Sequence, residues 1–328
     1  MSLQVRITQE CWPLNEAFEI AGQVMIDLPL LMLELIDENG HIGRAEAAGV
    51  DYDGETPQSM SDQLNSILTK LRSTTTPMDV QAWLPRGGAR NALDCALWDL
   101  QAKRSCKPAW TTAGLEPMRS LTTACTIGLG SIEDTRRHAR KLAATPLIKI
   151  KVDGVRHVDL IRAVREEAPM ARLVIDANQS WTVGLIQKLL PDLLDLGVEC
   201  IEQPIPRGSD AELDGLNSPI PIVADESCTD RHSLPLLVNR YQGVNIKLDK
   251  TGGLTEALAL AHEARILGFD IMVGNMCGTS LGMASAFLVA QKARWVDLDG
   301  PLLQQEDRPF AMHYEQGVVE PPSSQLWG

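Results

Sequence analysis

The sequence lacks a basic excess, a paired-cysteine motif and a long apolar run, and each absence excludes a class of protein. Its 328 residues carry 30 Lys and Arg against 43 Asp and Glu, a net charge of −13. Binding a nucleic-acid backbone or an anionic membrane requires a basic surface instead. No apolar stretch reaches the roughly 18–20 residues that cross a bilayer, and no basic segment followed by an apolar one predicts a signal peptide. We therefore expect neither a nucleic-acid partner nor a membrane association.

Cysteine is present, but not in a pattern that indicates disulfides or a zinc site. The seven cysteines are scattered without a Cys-x-x-Cys pair, which is typical of reduced thiols in a cytoplasmic protein. With 44% hydrophobic residues, the chain can bury a large core and is long enough for two domains. We predict a cytoplasmic globular protein, and the sequence leaves a homo-oligomer open.

The sequence does contain a rhythm of short apolar runs, each ending in an ionisable residue. Lys151, Asp176, Glu202, Asp225 and Lys247 follow one another at intervals of 22 to 26 residues. Each precedes a helical pattern, and a strand-plus-helix unit of that length is the repeat of a parallel βαβ sheet. When such repeats close into a barrel, the strand ends open on one face. We therefore expect these five side chains to converge there.

The alternation begins near Leu121 and predicts eight strands but only seven helices. The strands are predicted at 121–127, 146–152, 173–175, 199–201, 220–224, 244–246, 270–274 and 295–297. The helices are predicted at about 131–144, 155–167, 182–196, 209–216, 230–239, 254–267 and 280–292. The segment before this alternation has strands first, including 28–36 with a hairpin turn at Asn39-Gly40, and helices after, the strongest at 91–103. It therefore reads as a separate α+β unit.

Three carboxylates in the series suit a magnesium site. Asp176, Glu202 and Asp225 would supply hard oxygen ligands from three successive strand ends, and an octahedral Mg²⁺ keeps positions open for substrate oxygens. Without a cation, three converging carboxylates would repel one another strongly at low dielectric. One such residue alone would more often be an ordinary strand-end acid, but three in phase favour a metal site.

Lysines flank these acids, and their spacing suits proton transfer. Lys149 and Lys151 lie two apart in one strand and share a face, where like charge and a nearby cation are expected to lower their pKa toward that of a general base. Lys247 comes from a strand across the barrel. Two lysines on opposite sides of a carbon acid can take a proton from one face and return it to the other, as in a racemase. Asp297 and Asp299 end the eighth strand and suit a substrate ammonium group, or else form an ordinary turn.

The segments around these residues resemble the enolase superfamily and, within its muconate-lactonising subgroup, the dipeptide epimerases. The resembling segments cover nearly the whole chain: 90–100, 149–151, 176–179, 202–204, 224–227, 245–253 and 297–299. The resemblance implies an α/β fold in which a modified TIM barrel, (β/α)7β, spans residues 119–302. An α+β capping domain would span 1–118, with the tail 303–328 packing back on it. This agrees with eight strands and seven helices.

The resemblance also implies a function. Such an isomerase epimerises a dipeptide at the α-carbon of its second residue through an enolate, with one Mg²⁺ per subunit. Its proton-transfer residues would be Lys151 and Lys247, with Lys149 auxiliary. The Mg²⁺ ligands would be Asp176, Glu202 and Asp225. Asp297 and Asp299 would bind the α-ammonium of the dipeptide, and Thr126 would contact the region of its C-terminal carboxylate.

One departure from the family pattern bears on the substrate. Epimerases of Ala-Glu dipeptides resemble this chain through residues 18–21 but carry an Arg at the next position, which here is Gly22. The capping loop that contains Asp51 and Asp53 is acidic and would repel a glutamate side chain. We therefore predict a cationic or apolar dipeptide rather than Ala-Glu, unless these two acids simply point to water.

Two kinds of alternative remain. An N-acylamino acid racemase, an o-succinylbenzoate synthase or a muconate cycloisomerase would use the same lysines, but its substrate has no free ammonium group for Asp297 and Asp299 to anchor. A non-catalytic relative that binds a small molecule or a metal would not need both Lys151 and Lys247.

Overall fold

The N-terminal part of the chain forms three long antiparallel strands, each paired with the next along the sequence. These strands are β1 (Gln4–Ile20), β2 (Gln23–Ile36) and β3 (Ile42–Ala47). The computed structural model describes residues 3–20 and 23–328, so Gly22 lies outside the described residues. The predicted turn between β2 and β3 is present, with the Gly40 amide donating to the Asp37 carbonyl at 3.1 Å. Strand β1 was not predicted, because its mostly exposed residues show no continuous apolar run.

Four helices follow, of which the first and third pack on this sheet, while the second and fourth pack on the third. They are α1 (Pro57–Ile67), α2 (Pro77–Trp83), α3 (Gly88–Ser105) and α4 (Ala109–Thr112). Both α1 and α2 begin with Pro after a threonine N-cap, Thr56 and Thr76, whose side chain accepts a backbone amide three residues on. Helix α3 is buried along most of its length and packs on β3 at Gly43, where an added Cβ would lie 2.5 Å from Leu100 Cβ.

The second half of the chain forms an eight-stranded parallel sheet in which each strand pairs with the next. A short strand, β4 (Leu121–Thr122), precedes it. The eight strands are β5 (Cys125–Ile127), β6 (Leu147–Lys151), β7 (Arg172–Asp176), β8 (Val198–Glu202), β9 (Ile222–Ala224), β10 (Gly243–Ile246), β11 (Asp270–Val273) and β12 (Trp295–Val296). With the antiparallel N-terminal sheet beside it, this curled sheet confirms the predicted fold class.

The sheet curls until its two edges meet. The Ala124 amide, just before β5, donates to the Val296 carbonyl of β12 at 2.7 Å. Seven buried side chains, six of them on barrel strands, pack together inside: Ala124, Leu147, Val174, Cys200, Val223, Met272 and Trp295. The interior is thus a packed core, as in other barrels of this kind, and the functional face is at the strand ends.

Helices connect the strands, although two predicted ones are much reduced. The α-helices are α5 (Ile132–Lys141), α6 (Val158–Glu167), α7 (Val183–Asp195), α8 (Leu234–Leu237), α9 (Leu248–Thr251), α10 (Leu254–Ile266) and α11 (Ser280–Ala290). The helix predicted at 209–216 is only a 3-10 turn, Asp210–Leu213, because Gly215 follows at φ 81° and ends it. The helix predicted at 230–239 is a 3-10 turn followed by α8. Helix α9 was not predicted.

The C-terminal tail contacts both halves of the chain. Its strands β13 (Tyr314–Glu315) and β14 (Val318–Val319) form a small sheet with β4. The Trp327 indole donates to the Cys95 carbonyl of α3 at 3.1 Å. The domain boundaries 1–118, 119–302 and 303–328 stay a prediction. Within the described residues, the structure contains no helix that is both long and apolar enough to cross a membrane.

Candidate active site

A cavity of about 490 Å³ opens at the C-terminal ends of the barrel strands, beneath the N-terminal sheet. Barrel residues supply its floor, and residues from β2 and from the segment after β3 supply its roof. The predicted site residues that line it are Asp51, Thr126, Lys149, Lys151, Asp225, Lys247, Asp297 and Asp299. The parallel strands therefore bring to one place most of the ionisable residues that the sequence indicated.

The first two predicted metal ligands lie side by side beneath this cavity. Asp176 ends β7 and Glu202 ends β8, and both are fully buried. The Lys149 ammonium lies between them, 3.0 Å from Asp176 Oδ2 and 2.7 Å from Glu202 Oε2. Asn245 Nδ2 donates to the other Glu202 oxygen at 2.7 Å. Burial and the neighbouring Asp176 charge raise the pKa of Glu202 to about 8.

The third predicted ligand, Asp225, follows β9 and is held by two lysines. Lys247 Nζ lies 2.7 Å from its Oδ2, and Lys250 Nζ lies 2.5 Å from its Oδ1. Although burial opposes it, these two ammonium groups lower the pKa of Asp225. Lys250 is fully buried and was missed from the sequence. The only signal for it was its place three residues after Lys247.

These acids suit a divalent cation chemically, although their oxygens now bind ammonium groups. Within residues 3–20 and 23–328, no three His, Cys, Asp or Glu side chains already surround one point as metal ligands would. Glu202 Oε2, however, lies 2.7 Å from the Lys149 ammonium in an ion pair and is buried without a hydrogen-bond partner. An unsatisfied buried carboxylate oxygen beside Asp176 is a position that a cation would stabilise. The donor set fits Mg²⁺, and the ligand assignment stays a prediction.

The two predicted proton-transfer lysines reach the cavity from strands four places apart. Lys151 ends β6 and donates to Asp176 Oδ2 at 2.8 Å and to Asn178 Oδ1 at 3.0 Å. Lys247 follows β10 and donates to Asp225. In a barrel of eight strands, positions four apart are opposite each other.

The carboxylates around Lys149 oppose the lowered pKa that was expected for the strand lysines. Burial lowers the pKa of Lys149, but the carboxylates around it, led by Asp297 and Glu202, raise it well above the usual value. Burial also lowers the pKa of Lys247, but the negative charges around it, led by Asp225 and Glu202, together raise it above the usual value. Repulsion between neighbouring lysines favours a lowered pKa, but each of these lysines also contacts a carboxylate that has the opposite effect.

The aspartate pair after β12 lies at another wall of the cavity. Asp297 Oδ2 is 2.9 Å from Lys149 Nζ, and Asp299 Oδ2 accepts the Thr126 amide at 2.6 Å. Burial, followed by the Asp297 charge, raises the pKa of Asp299 to about 7. Thr126 and the two aspartates thus lie together, although both acids already have partners within the chain.

The loop acids separate into two environments. Asp51 and Tyr52 line the cavity, whereas Asp53 forms ion pairs with Arg207 at 2.8 Å and with Arg86 at 3.8 Å. Gly22, where the sequence departs from the family pattern, is outside the described residues. Tyr52 was missed because an exposed aromatic residue in a loop carries no signal of its own.

Glu226 is a further cavity residue that the sequence did not indicate. It is buried, its Oε1 accepts Gln179 Nε2 at 3.1 Å, and its Oε2 is buried without a hydrogen-bond partner. Burial and the charge of Asp225 raise its pKa to about 7. The only sequence signal was its position next to Asp225.

Two protein-family models match the chain. One is described as the mandelate racemase/muconate lactonizing enzyme N-terminal domain and matches residues 2–114, and the other, described as enolase C-terminal domain-like, matches residues 134–325. Among relatives, the N-acetyl-D-glutamate racemase of Pseudoalteromonas sp is 40% identical, over 91% of this chain and 95% of its own length. The L-Ala-D/L-Glu epimerase of Escherichia coli (strain K12) is 39% identical, over 96% and 98%.

Solved structures are similar over nearly the whole chain. An enolase family member from Agrobacterium tumefaciens with homology to dipeptide epimerases, with bound sodium and L-Ala-L-Glu, has a TM-score of 0.94 at 39% identity and covers 99% of both chains. The dipeptide epimerase from Methylococcus capsulatus, complexed with Mg and L-Arg-D-Lys, has a TM-score of 0.92 at 28% identity, over 98% of this chain and 97% of its own.

Proposed function

Since this chain belongs to the mandelate racemase/muconate lactonizing enzyme family of the enolase superfamily, we propose that it is a Mg²⁺-dependent dipeptide epimerase. This isomerase inverts the α-carbon of the second residue. The observation that carries the proposal is the placement of Lys151 and Lys247. They reach one cavity from strand positions four apart, and each contacts a different buried acid. Relatives and similar structures named as epimerases support the same activity.

The residues proposed to hold one Mg²⁺ per subunit are Asp176, Glu202 and Asp225. When bound, Mg²⁺ supplies electrostatic stabilisation of the negative charge that develops on the substrate carboxylate as the α-proton leaves. The three acids supply negative charge and oxygen ligands for the cation, and because they are buried, bulk water is excluded from them. The complex of the Methylococcus capsulatus relative with Mg supports the choice of metal.

Lys151 and Lys247 are proposed to move the proton, with Lys149 auxiliary. For one enantiomer, the neutral amine on one side takes the α-proton, so that a C–H bond breaks and an N–H bond forms. The ammonium on the other side then returns a proton to the opposite face, and the roles reverse for the other enantiomer. A general base must be deprotonated, and the carboxylates now raise the pKa of Lys247. A cation that shares their charge would lower it.

The walls of the cavity are proposed to orient the dipeptide. Asp297 and Asp299 would bind the α-ammonium, and Thr126, which also lines the cavity, would contact the region of the C-terminal carboxylate. Asp51 lines the cavity and Asp53 lies two residues further along the same turn, and their negative charge supports the proposed preference for a cationic or apolar second residue over glutamate. The ion pairs of Asp53 reduce its share of that effect.

A second candidate is racemisation of an N-acylamino acid. The observation that favours it is that Asp297 and Asp299 already bind Lys149 and the Thr126 amide. A substrate without an ammonium group would not have to displace these partners. The N-acetyl-D-glutamate racemase from Pseudoalteromonas sp is a relative of this type.

Exchange of the substrate α-hydrogen in D₂O, followed by mass spectrometry, tests both candidates. The panel contains L-Ala-L-Lys, L-Ala-L-Leu, L-Ala-L-Glu and N-acetyl-L-glutamate, each with and without Mg²⁺. We expect Mg²⁺-dependent deuterium incorporation and inversion at the second residue of a dipeptide. A clear preference for L-Ala-L-Glu would refute the proposed side-chain preference, and exchange of N-acetyl-L-glutamate alone would favour the second candidate. No exchange with any compound would contradict both and indicate a binding protein. Replacement of the exposed Lys107 by Met is the control variant.

We also propose a cytoplasmic location. All seven cysteines are free thiols in the structure, and four of them are buried, which suits a reducing compartment. Fractionation of cells that produce the protein, followed by immunoblotting, would test this.

A further inference from the structure

A short turn reaches from the N-terminal domain to the mouth of the cavity. It is the 3-10 turn Asp51–Asp53 between β3 and α1, and all three of its residues are exposed. Asp51 and Tyr52 nevertheless line the cavity. The base of the turn is anchored within its own domain, because the Glu55 carboxylate accepts the Val50 amide at 2.8 Å and the Gly88 amide at 2.9 Å.

The tip of the turn is held from the barrel by one arginine. Arg207 lies in the segment after β8, and its Nη2 is 2.8 Å from Asp53 Oδ1. The same guanidinium lies 5.9 Å from the centre of the Tyr52 ring, within the range of a cation–π contact. One side chain therefore contacts both the acid at the end of the turn and the aromatic ring that lines the cavity.

Arg207 is itself anchored to the cavity wall. Its backbone amide donates to Gln179 Oε1 at 2.8 Å, and Gln179 Nε2 donates to Glu226. Gln179 has a φ of 65°, a conformation that a non-glycine residue adopts only where its surroundings hold it. The backbone that carries the guanidinium is thus hydrogen-bonded to Gln179, which in turn contacts Glu226.

The only other cation paired with Asp53 among the described residues makes a weaker contact. Arg86 Nη1 is 3.8 Å from Asp53 Oδ2, and Arg86 Nε is 3.7 Å from Asp230 Oδ2, so this arginine contacts two acids. Arg86 also comes from the N-terminal domain, between α2 and α3. Arg207 is therefore the contact by which the barrel holds the tip of the turn.

We propose that Arg207 is a positioning residue that holds the Asp51–Asp53 turn closed over the cavity and thereby places Tyr52 and Asp51 against the substrate. Asp53 then acts through Arg207 rather than by touching the substrate, and Asp51 is the loop acid that the substrate meets. Because the ion pair is partly exposed, with side-chain exposures of 42% and 24%, its effect is modest and sensitive to salt. The kinetic test of this inference rests on the proposed function, whereas its structural test does not.

The structural test is hydrogen–deuterium exchange of the peptide that covers residues 50–56. In Arg207→Met, which keeps the apolar stem but removes the charge, we expect faster exchange of this peptide at an unchanged melting temperature. Arg207→Lys keeps a charge and should give an intermediate rate. Arg240→Met removes a pair of the same kind and length, with Asp214 at 2.8 Å, and should leave the peptide unchanged. Equal hydrogen–deuterium exchange rates of the peptide 50–56 in the wild type and in both Arg207 variants would overturn the proposal.

The kinetic test uses the dipeptide with the fastest exchange. Arg207→Met and Asp53→Asn should each raise KM about two- to five-fold with little change in kcat, the size expected of an exposed ion pair. The swap that combines Arg207→Asp with Asp53→Arg should recover most of that loss, and added NaCl should raise KM in the wild type more than in Arg207→Met. If KM of the charge-swapped variant instead rises by the product of the two single-variant increases, the proposed pairing of Arg207 with Asp53 is overturned. If the wild type turns over no dipeptide, the proposed function fails while the exchange measurement still decides this inference.

Discussion

Replacing Lys149 by Met should destabilise the metal-free protein severely. The Lys149 ammonium is 2% exposed and lies within 3.0 Å of three carboxylates, those of Asp176, Glu202 and Asp297. Removing one partner of a buried ion pair costs about 3–5 kcal/mol, because the remaining charge has no compensation. With an unfolding entropy of about 2.1 cal/mol/K for each of the 328 residues, 1 kcal/mol shifts the melting temperature by about 1.5 °C, so that it should fall by about 4–7 °C.

Magnesium should restore much of this stability if the three acids bind it. A cation at Asp176 and Glu202 replaces the missing positive charge, and a ligand at 100 times its Kd stabilises the folded state by about 2.7 kcal/mol. The rise in melting temperature on adding MgCl₂ should therefore be larger in Lys149→Met than in the wild type.

Differential scanning calorimetry with EDTA and then with excess MgCl₂ measures both effects. Replacing the exposed Lys107 by Met is the control and should change neither temperature. A Lys149→Met protein that melts within about 2 °C of the wild type in EDTA would refute the electrostatic reasoning, since about 3 kcal/mol is the smallest loss it allows. An unchanged response to MgCl₂ would count against these acids as metal ligands.

Three further predictions follow from other parts of the structure. Lys151→Ala and Lys247→Ala should each reduce the rate of α-hydrogen exchange by about 10²–10⁴-fold for one enantiomer of the substrate and far less for the other. The rates are measured by NMR in D₂O. Equal losses for both enantiomers would argue against two bases on opposite faces of the substrate. The metal-free protein should lose stability as the pH rises from about 5 to 8. A buried carboxyl group whose pKa is raised on folding contributes its full stabilisation below the pKa that it has in the unfolded chain. It loses that contribution as the pH rises through the pKa that it has in the folded protein. The groups concerned are Asp94, Glu226, Asp249 and Asp299, each at about 7, and Glu202 at about 8; a melting temperature in EDTA that climbs over this range would contradict the prediction. Gly43→Ala should destabilise the protein by about 1–3 kcal/mol in urea denaturation through overpacking, since the new methyl group would lie 2.5 Å from Leu100 Cβ. The control is Gly184→Ala in α7, where no atom lies within 4 Å of the added group. This control should be neutral or slightly stabilising.

The positions of the site residues were predictable because they follow a local pattern. Each apolar run makes a strand, each strand of a parallel barrel ends on the same face, and the residue at that end must face the mouth. Lys151 and Asp176 therefore end β6 and β7, and Lys247 follows β10, as the spacing predicted. The helix predicted at 209–216 failed because Gly215 adopts a φ of 81° and leaves only the 3-10 turn Asp210–Leu213, a backbone conformation that the apolar pattern of the segment does not reveal.

The sequence by itself determined the alternation of strands and helices and the convergence of acids and lysines at one end of the strands, since these depend on periodicity within about 25 residues of chain. Only the tertiary structure decided which charges touch. Lys149 lies against Asp297, 148 residues away, and Arg207 pairs with Asp53 from the other domain. The direction of a pKa shift depends on such contacts, because electrostatic energy at low dielectric falls off with distance in space rather than with separation along the chain.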